Sequence, residues 1–377
     1  MKMIENIIKF NSPYQSGNEL NYISEAFENN KLSGNGIFTK KCQSFFEKKY
    51  NFKKCLLTTS CTDALEMTAI LLKIGPGDEV IIPSYTFVST ALAFERQGAT
   101  IVFADSESNT PNLDVTKVEK LITKKTKVIV PVHYAGVSCD MDSIMSLAKK
   151  YNLYVVEDAA QAIDSFYKGK PLGSIGHLST FSFHDTKNII CGEGGMLVIN
   201  DEKFINRAEI IWEKGTNRSL FFKGEVDKYG WVDLGSSFLP SEIIAAFLYA
   251  QLECLEDIQA KRKKIWKTYY DLLTSFQSES NFKLPVIPDY ATNNGHMFYL
   301  VFNSIKDRDE MILKLKKNNI LSVFHYLSLH KSEYFKDKYN GDELVESEKY
   351  TNCLLRLPMF YALKTNEIKK IVNTIIS

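Results

Sequence analysis

The sequence predicts an α/β fold with a large domain built on a mostly parallel sheet and a smaller C-terminal α+β domain. In the first two thirds of the 377 residues, short apolar runs without polar alternation are separated by amphipathic helical patterns. Such runs are typical of strands buried on both faces, as in parallel sheets covered by helices. Short strands then mix with helices toward the C-terminus. We therefore predict a large domain over 1–250 and a small domain over 251–377.

The individual elements follow in chain order. Strands are expected over 79–83, 101–103, 128–132, 153–156, 179–183 and 196–199. Helices are expected over 87–97, where Gly98 ends the pattern, and over 141–151. One long helix over 241–270, apolar at first and basic later, suits a connector between the domains. In the small domain, strands are expected over 297–302 and 321–324 and helices over 307–317 and 365–376.

Composition excludes several classes of protein. The 46 basic and 45 acidic residues give a net charge of +1 without a basic tract, which argues against nucleic-acid binding. Seven scattered cysteines without a C-x-x-C pair argue against a disulfide framework or a structural zinc site, and no metal is expected. No apolar run reaches the roughly 20 residues of a membrane span, and residues 1–10 lack the apolar core of a signal peptide. We expect a cytoplasmic protein without a membrane partner.

The segment FSFHDTKN over 181–188, followed by GEGG over 192–195, is the most informative part of the chain. It places Lys187 between an apolar strand and a glycine-rich turn. A solvated lysine is the ordinary alternative. The flanking Phe181 and Phe183, however, place this lysine at the edge of a core. A partly desolvated amine loses its proton more easily, as a Schiff-base nucleophile requires.

Asp158 follows the apolar run over 153–156 and lies where open α/β sheets place ligands. A helix cap or turn is the alternative for this residue. Pyridoxal 5'-phosphate (PLP) takes a lysine Schiff base at its aldehyde and an acidic partner at its ring nitrogen. Lys187 and Asp158 together therefore predict a PLP site. Gln161, about one helical turn further on, is a candidate partner of the ring hydroxyl, and Glu157 is interpreted as structural.

Candidate phosphate contacts come from two places. The S-x-x-D pattern over 60–63 precedes an apolar helix, and free backbone donors at a helix start bind anions. Cys61 and Thr62 are thus candidates, although an ordinary N-cap explains the same pattern. Ser182, five residues before Lys187, is the second candidate. The turn over 192–195 lacks the Gly-Lys-Ser/Thr ending of a nucleotide-triphosphate loop and is interpreted as a tight turn beside the cofactor.

Aromatic and histidine side chains provide further candidates. Phe87, just after the strand over 79–83, can stack on the cofactor ring or pack in the core. His325, Tyr326 and His330 are candidate substrate contacts on the small domain, with a structural role as the alternative. The remaining candidates, His133 and His296, are interpreted as packing or supporting residues.

Together these segments resemble the DegT/DnrJ/EryC1/StrS family of sugar-nucleotide aminotransferases, a branch of the fold-type I PLP enzymes. The matching segments are 60–65, 83–87, 131–133, 156–161 and 181–195, and the similarity runs from Phe10 to the C-terminus. The resemblance implies a homodimer with active sites at the subunit interface. The roles that it implies are the Schiff base and proton shuttle for Lys187, the ring-nitrogen partner for Asp158, the ring-hydroxyl contact for Gln161, phosphate binding for Ser182, Cys61 and Thr62, and ring stacking for Phe87.

Further segments are similar to one subgroup of this family, the dTDP-4-amino-4,6-dideoxygalactose transaminases of enterobacterial common antigen synthesis. These segments are 183–188, 213–219, 221–224, 226–229 and 234–241. Most members of the family carry Gly-Tyr-Asn-Tyr-Arg where this chain has GSSFL over 235–239. In the family that asparagine reaches the phosphate of the neighbouring subunit's cofactor, and the resemblance assigns this contact to Ser237.

The resemblance implies transfer of the amino group of L-glutamate to C4 of dTDP-4-dehydro-6-deoxy-D-glucose, giving dTDP-4-amino-4,6-dideoxy-D-galactose and 2-oxoglutarate. A 3-aminotransferase or a gluco-configured 4-amino product is the alternative on the same fold. A family dehydratase would carry histidine in place of Lys187. A non-catalytic PLP-fold sugar-nucleotide sensor is disfavoured by the intact Lys187, Asp158 and Gln161. The hypothesis of a nicotinamide oxidoreductase has still less support, because no G-x-G-x-x-G motif follows an early strand.

Overall fold

The computed structural model describes residues 7–276 and 280–377. The strands of a seven-stranded sheet and of a two-stranded ribbon come first in the sequence. Their strands are β1 (Lys54–Thr58), β2 (Glu79–Pro83), β3 (Thr100–Ala104), β4 (Thr126–Ile129), β5 (Tyr154–Asp158), β6 (Phe166–Tyr167), β7 (Lys170–Pro171), β8 (Leu178–Ser182) and β9 (Gly195–Ile199). The ribbon pairs β6 with β7, and the large sheet has the order β1-β9-β8-β5-β4-β2-β3. β9 is antiparallel to both of its neighbours, whereas the other adjacent strands of the large sheet are parallel.

Helices cover both faces of the large sheet, and further helices lie in the C-terminal part of the chain. They are α1 (Glu19–Glu28), α2 (Ile37–Tyr50), α3 (Cys61–Leu71), α4 (Val88–Glu95), α5 (Val115–Val118), α6 (Met141–Tyr151), α7 (Ile205–Trp212), α8 (Arg218–Phe222), α9 (Glu242–Glu253), α10 (Leu255–Thr274), α11 (Ile305–Lys317), α12 (Val345–Cys353) and α13 (Thr365–Ile376). Because successive side chains of a strand point to opposite faces, β2 feeds two cores. Ile81 packs in the core that contains α2, α6 and α9, while Val80 and Ile82 pack with α3, α4 and α7.

A smaller antiparallel sheet follows α10. Its strands are β10 (Phe282–Lys283), β11 (Tyr299–Phe302) and β12 (Leu354–Arg356), in the order β10-β11-β12. Leu300 of β11 and Leu355 of β12 share one buried cluster with Tyr269 of α10 and Ile371 of α13. The α/β class with a mostly parallel large sheet is therefore confirmed. α9 packs on α1 and α2, whereas α10 packs on α13, and the predicted boundary at residue 250 stays a prediction.

Two predicted elements are wrong. The long helix over 241–270 is two helices, because the backbone leaves the helical region at Cys254 (φ −100°, ψ 9°). This turn lets Leu252 of α9 and Leu255 of α10 both be buried. The strand over 321–324 is only a single bridge between Val323 and Arg356. Its apolar ends Leu321 and Phe324 are 41% and 50% exposed, so they contribute little to a buried sheet face.

The fold brings the functional segments to one edge of the large sheet. The carboxyl ends of β1, β2, β5 and β8 meet there, since these strands all run in the same direction. α3 begins just after β1, α4 begins shortly after β2, and β5 ends at Asp158. The loop that carries Lys187 joins β8 to β9 at the same edge. Ligands of open α/β sheets bind at this edge.

Within residues 7–276 and 280–377, no helix is long and apolar enough to cross a membrane. The same residues contain no cluster of three or more His, Cys, Asp or Glu side chains that could hold a metal ion.

Glu242 joins α9 to the start of α2 and provides a test of this packing. Its buried carboxylate accepts hydrogen bonds from the backbone N–H groups of Gly36 (2.9 Å), Phe38 (2.7 Å) and Thr39 (3.1 Å). We expect Glu242→Ala to lower the free energy of unfolding by about 3 kcal/mol, because it leaves buried donors unpaired and removes a carboxylate from a helix N-terminus. Urea unfolding followed by circular dichroism measures this loss.

The matched control is Glu256→Ala, since the Glu256 side chain is 89% exposed and pairs with Lys49. We expect a change of less than about 1 kcal/mol for this exposed ion pair. Equal effects of the two substitutions would contradict the capping role of Glu242.

Candidate active site

A cavity of about 430 Å³ opens at the carboxyl edge of the large sheet, between this sheet and the small one. It is lined by residues from the loops after β1, β2, β5 and β8, from the small sheet and from the segment around Phe10. The predicted site residues that line it are Cys61, Thr62, Phe87, Asp158, Gln161, Ser182, Lys187, His325 and Tyr326. The structure thus brings together all of the predicted site residues except Ser237 and His330.

Lys187 reaches this cavity without an ion pair. In the described part of the chain, no carboxylate oxygen lies within 4.0 Å of its side-chain amine, and its backbone N–H donates to the backbone carbonyl of His184 (2.9 Å). Burial lowers the pKa of Lys187. The neighbouring Cys61 and Asp158 act to raise this pKa and Arg356 acts to lower it, and the net shift is downward. The amine is therefore deprotonated more easily than a surface lysine, which is the state that a nucleophile needs.

Asp158 is held at the end of β5 by two donors. Its Oδ2 accepts from the hydroxyl of Thr90 (2.8 Å), and its Oδ1 accepts from the N–H of Ala160 (3.1 Å). Thr90 also contacts the hydroxyl of Thr86 (3.0 Å), so a chain of hydroxyls leads to the carboxylate. Burial raises the pKa of Asp158, while Thr90, the Ala160 N–H and Lys187 act to lower it. The carboxylate is thereby oriented in a buried position.

The start of α3 lines the cavity. The Ser60 hydroxyl accepts from the N–H of Asp63 (3.0 Å), so the predicted N-cap is present. The next two N–H groups, of Cys61 and Thr62, belong to the unpaired first turn of the helix and lie at the cavity. Gly195 permits this arrangement, because a Cβ there would lie 2.3 Å from the Ser60 carbonyl carbon. The cap and the anion site are thus compatible features of one helix start.

Gln161 connects the large sheet to the small domain. Its side-chain oxygen accepts from the N–H of Ala135 (2.6 Å), which fixes the amide orientation. The amide nitrogen consequently donates to the hydroxyl of Tyr326 (2.8 Å). The Tyr326 ring stacks on His325 at 3.5 Å between centroids and lies 6.1 Å from the ring of Phe87. Phe87 is 55% exposed and lines the cavity, so its ring is accessible to a ligand.

His296, interpreted from the sequence as a packing or supporting residue, also lines the cavity. Its Nδ1 contacts Oδ1 of Asn188 (2.9 Å). The side-chain nitrogen of Asn188 in turn donates to Oε1 of Gln259 (2.8 Å). This chain fixes the proton on Nδ1 and leaves Nε2 as an acceptor. Burial lowers the pKa of His296 well below its usual value, and the charges of Lys187 and Arg356 act in the same direction. His296 is therefore a neutral ring.

A buried histidine–carboxylate hydrogen bond lies behind Asp158. Glu157 accepts from His133 Nε2 (2.9 Å) and from three backbone N–H groups, those of Gly173, Ile175 and Gly176. Burial acts to raise the pKa of Glu157, but His133 and these N–H groups lower it below its usual value. Both side chains are fully buried. This geometry agrees with the structural interpretation of Glu157 and the supporting one of His133.

Two predicted contacts lie outside the cavity. His330 is buried, and its Nδ1 contacts the hydroxyl of Ser84 (2.7 Å). This geometry fits a packing role, and substrate contact stays a prediction. Ser237 is exposed and pairs with Glu213 through a single bridge. Its assigned contact is with the cofactor of a neighbouring subunit, so this role also stays a prediction.

Sequence reasoning missed Thr90 and Arg356. Thr90 lies three residues after Phe87 on the first turn of α4, and a helical projection from Phe87 would have found it. Arg356 ends β12 and reaches the cavity from the small sheet. No local pattern marks it, since an arginine after an apolar strand is usually solvated.

These residues fit PLP. The cavity contains an amine of lowered pKa, an oriented buried carboxylate and, at the start of α3, unpaired N–H groups suited to a phosphate. Lys187 would hold the aldehyde carbon, Asp158 the ring nitrogen, and Cys61, Thr62 and Ser182 the phosphate. Phe87 presents an exposed aromatic face for stacking.

Comparisons with known proteins find similarity over nearly the whole chain. Residues 13–376 match the model of the DegT/DnrJ/EryC1/StrS aminotransferase family. The chain is 31% identical to the spore coat polysaccharide biosynthesis protein SpsC of Bacillus subtilis, over 98% of this chain and 96% of SpsC. It is also 31% identical to the GDP-perosamine synthase of Escherichia coli O157:H7, over 96% of each chain. The PLP form of a Streptococcus pneumoniae protein assigned as a sugar aminotransferase superposes with a TM-score of 0.89 at 26% identity, covering 98% of each chain.

The lowered pKa of Lys187 predicts its reactivity. In the cofactor-free protein, we expect modification of Lys187 by trinitrobenzenesulfonate to reach half its maximal rate at a lower pH than a lysine in an unstructured peptide. Asp158→Asn should move this midpoint lower still, because the charge of Asp158 raises the pKa of Lys187. Mass spectrometry of the labelled peptide measures the rate at each pH.

The control is Asp271→Asn, which removes an exposed carboxylate paired with Lys267. It should leave the Lys187 profile unchanged. A Lys187 midpoint at or above that of the unstructured peptide would contradict the assignment of a desolvated amine.

Proposed function

Because the chain belongs to the DegT/DnrJ/EryC1/StrS aminotransferase family, we propose that it transfers the amino group of L-glutamate to C4 of dTDP-4-dehydro-6-deoxy-D-glucose. The chain is a PLP-dependent sugar aminotransferase, which requires an amino donor and a sugar-nucleotide acceptor. The proposal adds the donor, the nucleotide, the aminated carbon and the galacto configuration of the product.

The observation that carries the proposal is the meeting of Lys187 and Asp158 in one cavity with an anion-binding helix start. When bound, PLP supplies an aldehyde that takes up the amino group and a ring that accepts electrons. Lys187 Nζ removes the proton from Cα of the amino donor and, in the second half-reaction, delivers a proton to C4 of the sugar. A neutral amine is needed for the first step, and burial favours this form. Asp158, oriented by Thr90 and the Ala160 N–H, lies in the same cavity and would hold the ring nitrogen.

The preference for C4 and dTDP rests on the segments over 213–241 that are similar to the galactose-forming subgroup. A GDP-linked acceptor is the second candidate, since the chain is 31% identical to a protein named GDP-perosamine synthase. The two candidates share the chemistry of the cavity and differ in the base and sugar that must bind.

We also propose that two copies of the chain form a homodimer with shared active sites. The segment from α8 to Ser237 supports this proposal, because it exposes large apolar side chains. Among these, Trp231 is 83% exposed, Phe222 70% and Leu234 58%. Such a concentration of exposed apolar surface is typical of an interface between protein chains.

The test is incubation of the holoenzyme with L-glutamate and either dTDP-4-keto-6-deoxyglucose or GDP-4-keto-6-deoxymannose. We expect turnover with the dTDP-sugar at a kcat/KM at least about tenfold higher than with the GDP-sugar. The ring couplings in the proton NMR spectrum of the product should show an axial amine on C4. A preference for the GDP-sugar, an equatorial amine or amination at C3 would each contradict the corresponding part of the proposal.

Lys187→Ala tests the role of the amine separately. We expect loss of turnover in both half-reactions, and of the visible absorption band of the lysine-bound cofactor, because one side chain serves as both base and acid. Lys267→Ala is the control, since this side chain is 73% exposed, and it should retain normal turnover. Normal transamination by Lys187→Ala would contradict the assignment.

A further inference from the structure

His296 brings to the active-site cavity a ring nitrogen that the protein itself does not use. Its ring is buried and lines the cavity. Nδ1 contacts Oδ1 of Asn188 (2.9 Å). Within the described residues, Nε2 has no hydrogen-bond partner and is not fully enclosed by protein atoms. Buried polar groups normally have partners, so a ligand in the cavity is the natural partner of Nε2.

Asn188 determines which ring nitrogen carries the proton. The side-chain nitrogen of Asn188 has two hydrogens, and it donates to Oε1 of Gln259 (2.8 Å) and to the carbonyl of Asn294 (3.0 Å). Oδ1 of Asn188 can therefore only accept, so the proton of His296 lies on Nδ1. Burial lowers the pKa of His296 well below its usual value, so the ring takes no second proton. Nε2 is thus a hydrogen-bond acceptor of fixed orientation.

The same network holds His296 beside the reacting lysine. Asn188 follows Lys187 directly, in the loop that joins β8 to β9. On the other side, Oδ1 of Asn294 accepts from the backbone N–H of His296 (2.9 Å), and its side-chain nitrogen donates to the backbone carbonyl of Gln161 (2.8 Å). The ring is therefore anchored both to the lysine loop and to the segment after β5.

We propose that Nε2 of His296 accepts a hydrogen bond from the hydroxyl on C3 of the sugar acceptor, next to the carbon that is aminated. This inference rests on the proposed function and names one specificity contact of that site. C4 has two neighbours in the sugar ring. C3 carries a hydroxyl, whereas C5 carries the methyl group and the ring oxygen and has no hydrogen-bond donor. Because C4 must approach Nζ of Lys187, the hydroxyl on C3 also lies beside this lysine.

The amino donor has no group that suits Nε2. The two carboxylates of L-glutamate only accept hydrogen bonds, and a neutral acceptor does not bind them. Its ammonium is the reacting group and loses its protons during the transfer. The contact of His296 therefore acts on the sugar acceptor and contributes nothing to the half-reaction with glutamate.

The first test compares dTDP-4-keto-6-deoxyglucose with its 3-deoxy analogue in the wild-type holoenzyme. We expect kcat/KM to be about 10- to 100-fold lower for the 3-deoxy analogue, because Nε2 then stays buried without a partner. The 2-deoxy analogue should lose less than about threefold, because its missing hydroxyl lies one carbon further from the reacting centre. This comparison requires no substitution in the protein.

The second test combines the analogue with a substitution. His296→Asn keeps a nitrogen that can donate to Asn188 and removes the acceptor. We expect kcat/KM for the parent sugar to fall about 10- to 100-fold, and that for the 3-deoxy analogue to change less than about threefold, because the lost contact is shared by the two partners. The glutamate half-reaction, followed by the absorbance of the bound cofactor, should stay unchanged. His296→Gln can place an oxygen near the position of Nε2 and should recover part of the loss.

A spectroscopic readout tests the contact without turnover. In the ¹⁵N NMR spectrum of the histidine-labelled holoenzyme, the signals of His296 are those lost in His296→Asn. We expect Nδ1 to be protonated, and the Nε2 signal to shift when the aminated dTDP-sugar binds. The 3-deoxy form of this product should leave the Nε2 signal in place.

His177→Asn is the control variant. His177 lies outside the lining of the active-site cavity, and its Nδ1 accepts from the backbone N–H of Val155 (3.0 Å). This variant should keep the wild-type ratio of kcat/KM between the parent sugar and the 3-deoxy analogue.

Equal kcat/KM values of the wild type for the parent sugar and the 3-deoxy analogue would overturn the proposal. So would an Nε2 signal that ignores the sugar, or an equal loss of His296→Asn with both sugars and with glutamate, which would indicate a packing role. Turnover of GDP-4-keto-6-deoxymannose alone would contradict only the proposed nucleotide. That sugar also carries a hydroxyl on C3, so its 3-deoxy analogue then decides the role of His296.

Discussion

Burial of ionisable groups without full charge compensation is the constraint on which this active site depends. Lys187 and Arg356 both reach the cavity without an ion pair in the described structure, and Asp158 is held only by neutral donors. Burial lowers the pKa of Lys187 and raises that of Asp158. A direct ion pair between these two residues would satisfy both charges and would leave the lysine protonated. The fold prevents this pairing by directing Asp158 toward Thr90.

The large sheet supplies the rigidity that keeps these groups apart. β5 carries two adjacent carboxylates whose side chains point to opposite faces of the sheet. Glu157 is fully satisfied by His133 and three backbone N–H groups on one face, whereas Asp158 faces the cavity on the other. The hydrogen bonds of Glu157 anchor the strand, so Asp158 has a fixed position although its charge is less fully compensated. A site built on a loop alone would relax until its charges were paired.

The predicted site residues that the structure brings into the cavity belong to local sequence patterns. Lys187 lies in a glycine-rich turn after an apolar run, and the Ser60 cap marks the start of α3. The α/β class followed in the same way, from buried runs alternating with helices. Arg356 could not be predicted in this way. It lies 169 positions after Lys187 in the chain, and only the packing of the small sheet against the large one brings both residues to the same cavity. The same limit explains the wrong strand over 321–324, where apolar composition was taken as burial.

The small domain contributes side chains to the wall of the cavity and hydrogen bonds to residues of the large domain. Tyr326 accepts a hydrogen bond from Gln161, His296 is fixed by Asn188 of the lysine loop, and Arg356 completes the wall between them. The contacts of Tyr326 and His296 join the C-terminal third of the chain to residues at the edge of the large sheet. A displacement of one sheet relative to the other would therefore change the surroundings of Lys187 through several contacts at once. The reactivity of the amine is thus a property of the packing between the two sheets, and the loop that carries Lys187 does not determine it alone.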